Sequence, residues 1–166
     1  KNPCQRRQRE GHCVMGVCLS LEHRLEVVSG KISGKAGVAK RVLVVEDNEL
    51  NLKLFCDLLR VHEFEAEGVR DAREAINRAT LFAPDIIIMD IQMPHISGLE
   101  LIEAIRRDVI LRRIPVMAVT AYAGKGDEER IREAGADAYV AKPISPMKFI
   151  GVVRELADLA DSRALV

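Results

Sequence analysis

The sequence predicts an α/β fold, a doubly wound parallel sheet of five strands covered on both faces by five helices. Three observations carry that expectation. From Arg41 onward, short apolar runs alternate five times with segments of helical periodicity. Two of the runs, VLVV (42–45) and IIIM (86–89), are apolar without a break, as suits inner strands buried on both sides. Strand–helix repeats of this length, joined by short right-handed crossovers, return each strand parallel to the last.

Each element has its own signal. VLVV is the first strand. Leu50, Leu54, Leu58 and Val61, with Phe55 and Leu59, mark one face of the first helix. EFEAEGV (63–69) alternates apolar with acidic residues, the pattern of an edge strand. Ala72, Ala75, Ile76 and Ala79 give a second helix, and Pro84 breaks the chain before the third strand, IIIM. Ser97 caps a third helix carrying Leu99, Ile102 and Ile105. Pro115 precedes the fourth strand, VMAV (116–119). DEERIREA (127–134) is a short polar helix stopped by Gly135. AYVA (138–141) is the fifth strand. Ser145 as N-cap, with Pro146 at the first helical position, opens a last helix to about Ala160.

At 166 residues the chain can bury one sizeable core. With no Trp, two Tyr and four Phe, that core is built from Ile, Leu, Val and Ala. The net charge of zero is unevenly spread. Residues 1–40 carry eight Lys or Arg against three Asp or Glu, and the remainder carries 17 against 22. A mildly acidic globular part argues against DNA as a partner. Residues 1–39 read as a basic leader and linker, and 40–161 as the folded domain. GKISGKAGVAK (30–40) is a flexible Gly/Lys stretch, and Val14, Val17, Cys18, Leu21, Leu25 and Val28 fit one face of a short amphipathic helix. The leader is an adaptor, a cloning remnant or upstream sequence; the residues do not choose among them. Cys4, Cys13, Cys18 and Cys56 lack zinc-site spacing and read as reduced thiols of a cytoplasmic protein. HCVMGVCLS (12–20) contains His12 and runs into EHRLE, unlike a signal-peptide core. No segment approaches membrane-spanning length, so membrane insertion is not expected.

In parallel sheets of this kind, ligands bind beyond the carboxyl ends of the strands. The first strand ends in Glu46-Asp47, the third in Asp90, the fourth in Thr120 and the fifth in Lys142-Pro143. Taken singly, each has a bland explanation: a helix cap, a turn or a surface charge. All five at matching strand ends are much harder to dismiss. Three clustered carboxylates repel each other and call for a cation, and an all-oxygen set favours Mg²⁺, with Mn²⁺ able to substitute. An ionised Asp90 beside such a metal is a nucleophile for phosphoryl transfer. Lys142 would neutralise phosphoryl oxygens and the Thr120 hydroxyl would donate one hydrogen bond.

These residues, as VVEDN, IIIMDIQMPHISGLE, AVTA and AKP, resemble the response-regulator receiver domains of bacterial two-component signalling, the CheY-like superfamily. The resemblance implies a flavodoxin-like sheet in the order 2-1-3-4-5. It implies Asp90 as phosphoacceptor, Asp47 bound directly to Mg²⁺, Glu46 bound through water, and the Gln92 carbonyl as a further ligand. It also implies a Lys142–Pro143 cis peptide and Thr120 and Tyr139 as coupled switch residues. The implied partner is a histidine kinase dimerisation or phosphotransfer domain docking near Leu50, Pro143 and Ile144, with downstream protein targets beyond it. Within the family, VEDNELN, MDIQMPHISGLE and KGDEERIREAGADAYVAKPIS are similar to single-domain regulators of cell division. That similarity implies a stand-alone phosphoacceptor, not an enzyme, in cell-cycle control and recruited to cell poles. The alternative is a receiver segment of a hybrid kinase or a phosphorelay intermediate. A haloacid-dehalogenase-like phosphatase would need a second Asp where Gln92 stands. A flavodoxin-like nucleotide binder would need a phosphate loop where EDNELN would repel phosphate.

Overall fold

A computed structural model describes residues 39–121 and 124–165. Most of the leader, including Cys4, Cys13, Cys18 and the helix expected within 14–28, lies outside the described residues. The elements follow in the order β1 (Arg41–Val45), α1 (Glu49–Val61), β2 (Glu65–Val69), α2 (Ala75–Phe82), β3 (Ile86–Asp90), α3 (Gly98–Arg107), β4 (Val116–Thr120), α4 (Lys125–Glu133), β5 (Ala138–Ala141) and α5 (Pro146–Ala164). All strand pairings are parallel and the sheet order is β2-β1-β3-β4-β5, so the acidic-alternating strand is indeed at an edge.

Period-two alternation splits the apolar strands between two layers. Leu43, Val45, Ile87, Met89, Val116 and Ala118 face α2, α3 and α4. Val42, Val44, Ile86, Ile88, Met117 and Val119 face α1 and α5. Burial of each such aliphatic side chain contributes about 1.5–3 kcal/mol as an upper bound, which explains why β3 and β4 carry no polar residue before their last position and why β1 is apolar at every position after the half-buried Arg41.

The helices begin where capping groups satisfy their free N–H groups. The Asn48 side chain accepts from the N–H groups of Leu50 and Asn51, and Ser97 forms a reciprocal capping box with Glu100. Ser145 stands at the N-cap of α5, but its side chain makes no capping bond, and α5 runs on to Ala164. The last turn of α5 is held from outside. Arg163 and Arg106 both reach the Asp137 carboxylate, at 2.5 and 2.8 Å, and the same carboxylate accepts from the Val116 N–H at 2.8 Å. This clasp ties α3, α5, β4 and the start of β5 together, and it closes over long sequence separations.

The apolar face expected for α1 needs correction. Phe55, Cys56 and Leu59 are buried, whereas Leu50 and Val61 are 79% and 77% exposed and Leu54 is half exposed. α1 is apolar at so many positions that several stripes can be drawn along it. The stripe that packs is the one meeting α5, where Phe55 stacks on Phe149 with ring centroids 5.2 Å apart. In α3, Leu101 is buried with Ile102 and Ile105, while Leu99 is only partly so.

Candidate functional site

Each of the five expected residues is carried to the carboxyl edge of the sheet by the strand before it. Asp90 and Thr120 are the last residues of β3 and β4, Glu46-Asp47 follow β1, and Lys142 follows β5. Buried neighbours on both sides leave Glu46, Asp90 and Thr120 only 1%, 3% and 3% exposed. Lys142 binds the two acids together: its Nζ donates to Asp90 Oδ2 at 2.7 Å and to Glu46 Oε2 at 3.0 Å. The remaining oxygens are also engaged. Asp90 Oδ1 accepts from the Gln92 N–H at 3.0 Å, and Glu46 Oε1 accepts from Asn51 Nδ2 at 3.2 Å. The Thr120 carbonyl accepts from the Lys142 N–H at 2.7 Å, locking the ends of β4 and β5 together.

Three carboxylates against one ammonium leave this rim short of positive charge. Burial is the first cause pushing the Glu46 carboxyl above its ordinary range, opposed by the Lys142 hydrogen bond. For Lys142, burial works downward, but its bonds to Asp90 and Glu46 outweigh it and the ammonium is held above its ordinary value. One oxygen each from Glu46, Asp47 and Asp90 lies within 4.8 Å of the others. Such an all-oxygen set, with Asp47 partly open to solvent, fits a hard divalent cation that retains several waters, namely Mg²⁺.

The other expected residues sit around this centre. Gln92 is at the rim through its N–H bond to Asp90. The Lys142–Pro143 peptide is cis. Leu50 is exposed in the first turn of α1, and Pro143 and Ile144 lie on the loop that follows β5, next after Lys142 in the chain. Tyr139 is not at the rim. It pairs with Ala118 while Thr120 pairs with Ala141, which puts Tyr139 and Thr120 on the same face of the sheet. Its hydroxyl is hydrogen-bonded to Glu128 of α4, and that bond is the first cause holding it above the usual tyrosine range. A cavity of about 240 Å³ lined by Gln92, Leu99, Thr120, Arg130 and Ile131 opens between α3 and α4 beside Thr120.

Two contributors were not anticipated from the sequence. Asn51 supports the buried Glu46 carboxylate from the first turn of α1; an Asn early in the helix that follows a strand-end acid is the only local hint. Gly98 is required by close approach. A Cβ there would drive into the Asp90 carbonyl oxygen and come within 2.7 Å of Ile91 Cα, and the Gly98 N–H donates to the Ile91 carbonyl at 3.1 Å. The backbone that presents Asp90 is thus pinned by the first residue of α3.

The family model described as "Response regulator receiver domain" matches residues 42–154. The chain is 50% identical over 117 residues to the polar-differentiation response regulator DivK of Brucella ovis, covering 70% of this chain and 95% of that protein. With its counterpart from Brucella anthropi the identity is 51% over 115 residues, covering 69% and 94%. Among solved structures, the fold is similar to the receiver domain of sensor histidine kinase PA1611 from Pseudomonas aeruginosa, which has a magnesium ion coordinated in its active-site cleft. The TM-score is 0.67 and the identity 30%, over 73% of this chain and 99% of that one. A CheY-like receiver domain protein from Methanospirillum hungatei matches with a TM-score of 0.70 and 26% identity, over 75% and 98%.

Proposed function

This chain belongs to the response regulator receiver domain family, and from that premise we propose that it takes a phosphoryl group from a histidine kinase onto Asp90. The observation that carries the reading is the Asp90 carboxylate, buried at a strand end yet held 2.7 Å from Lys142 and beside two further carboxylates. An Asp90 oxygen attacks phosphorus, the P–N bond of the donor phosphohistidine breaks, and the electron pair leaves with the imidazole. Asp47, Glu46, Asp90 and the Gln92 carbonyl would hold Mg²⁺, which when bound offsets the charge on the phosphoryl oxygens. Lys142 exchanges its Asp90 contact for a phosphoryl oxygen, and the Thr120 hydroxyl donates to another.

Output follows from that move. As Thr120 draws toward the phosphoryl group, Tyr139 on the same face leaves Glu128 and turns inward, so the surface of α4, β5 and α5 changes shape. A difference of a few kcal/mol between the two arrangements suffices for phosphorylation to switch them. A kinase dimerisation domain docks over the exposed Leu50, with Pro143 and Ile144 beside it. Downstream partners are proteins, not DNA. The relatives named for polar differentiation support a stand-alone regulator in cell-cycle control, cytoplasmic and recruited to cell poles. No described helix is long and apolar enough to cross a membrane.

Acetyl phosphate with Mg²⁺, read by intact mass, tests the assignment. Wild type should gain one phosphoryl group and Asp90→Asn none. Equal labelling of the two would overturn it.

A further inference from the structure

The end of α3 and the start of its connection to β4 read RRDVILRR (106–113). Leu111 is buried at 1% exposure, but Val109 and Ile110 immediately before it are 77% and 72% exposed. A single exposed aliphatic needs no explanation; two adjacent ones on a fixed projection between arginines do. The projection is fixed from both sides. Asp108 Oδ1 accepts from the N–H groups of Ile110 and Leu111, at 2.8 and 3.0 Å. Arg106 Nη1 grips the carbonyls of Arg112 and Ile114, at 3.0 and 2.9 Å. Ordering therefore costs little when the tip is buried by something else.

The charge around the tip is also unbalanced. Glu103 is engaged by Arg107 at 2.9 Å, and Asp137 by Arg106 and Arg163. Arg112 and Arg113 are exposed, and among the described residues neither guanidinium is ion-paired with an acid. We propose that this tip is a peripheral docking site for an anionic lipid surface. Val109 and Ile110 enter the headgroup boundary while Arg112 and Arg113 meet the phosphates. With two aliphatics and a few arginines the contact is shallow, reversible and salt-sensitive. An acidic protein segment is the rival occupant, for a cavity of about 540 Å³ lined by Arg106, Arg112, Arg113 and Arg163 lies close by. Val109 and Ile110 do not line that cavity, so a peptide seated there leaves both aliphatics in water; a lipid surface covers them. The tip stands at the amino edge of the sheet. Five-residue strands at about 3.3 Å per residue put roughly 16 Å between it and Asp90, which stays open when the tip is docked. The proposal does not rest on the phosphoryl-transfer reading.

The chain contains no Trp, so Ile110→Trp in the full chain is a reporter without background. Its emission should shift to the blue on phosphatidylcholine vesicles containing a quarter phosphatidylglycerol, and be quenched by brominated lipid. Pure phosphatidylcholine, or high salt, should weaken both effects. In flotation with the same vesicles, Val109→Ser/Ile110→Ser and Arg112→Ala/Arg113→Ala, each confirmed folded by circular dichroism, should partition about tenfold less than wild type. The basic leader is common to all variants, so it cannot produce that difference. An unshifted reporter on anionic vesicles overturns the proposal. So do variants that float like wild type, and so does a shift produced by polyglutamate but not by vesicles.

Discussion

Replacing Gly98 with Ala tests whether the end of β3 and the start of α3 are in contact through backbone alone. The added Cβ would run into the Asp90 carbonyl oxygen, 2.7 Å from Ile91 Cα and 2.9 Å from the Asp90 carbonyl carbon. None of these is a flexible side chain, so relief requires α3 to retreat by roughly 1 Å. Retreat stretches the Gly98 N–H bond to Ile91 and shifts the backbone that aims Asp90. Overpacking of this kind costs about 3 kcal/mol at its upper end. The usual helical advantage of Ala over Gly returns about 0.5–1 kcal/mol. The net loss of about 2–2.5 kcal/mol corresponds to a fall in melting temperature of about 10 °C for a domain of this size. Gly151 supplies the control, since it lies within α5 and a Cβ added there would meet nothing within 4 Å. Gly151→Ala should therefore raise the melting temperature by a few degrees, about 0.5–1 kcal/mol. Thermal unfolding by circular dichroism reads both, and acetyl phosphate labelling should slow in Gly98→Ala only. A Gly98→Ala protein melting at or above wild type would refute the close-approach argument.

Three further outcomes are expected. Asp137→Ala removes the shared partner of Arg106, Arg163 and the Val116 N–H, and should cost about 3 kcal/mol in chemical denaturation; a loss below about 0.5 kcal/mol would show the clasp to be ornamental. Mg²⁺ affinity should depend on Asp47 more than on Glu46, which is already held by Lys142 and Asn51, so Asp47→Asn should weaken binding about tenfold relative to Glu46→Gln; equal titration curves for the two would reverse the roles. Hydrogen bonds from Arg73 lower the Asp71 pKa to about 2. The folded pKa lies below the unfolded one, so the pair's stabilisation is present above about pH 4 and is lost as pH falls toward 2. A carboxyl NMR titration should show that midpoint in wild type and a return toward the ordinary range in Arg73→Ala; an unmoved midpoint would deny Arg73 the role.

What the sequence disclosed, and what it hid, divides by the range of the interaction. The edge position of β2 and the gathering of Glu46, Asp90, Thr120 and Lys142 follow from the apolar patterns of the strands and from chain direction, both of which are local signals, whereas the full strand order was legible only through the resemblance to receiver domains. The Arg106–Asp137–Arg163 clasp and the Asp90–Gly98 contact depend on where separate elements come to rest, and no spacing rule reaches across them. α1 shows the boundary between the two cases. Its leucines at 50 and 54 carry helical periodicity, yet the helix turns Phe55 and Leu59 inward because Phe149 waits on α5. Leu50 cannot serve both as core and as a contact for a docking kinase, although the sequence admits either. Its 79% exposure removes it from the core and leaves an apolar side chain in the first turn of α1, one loop away from the buried acids. Apolar surface beside a charged, partly buried site is what a partner needs to exclude water there, so the residue that periodicity misassigned is the one that the docking proposal requires.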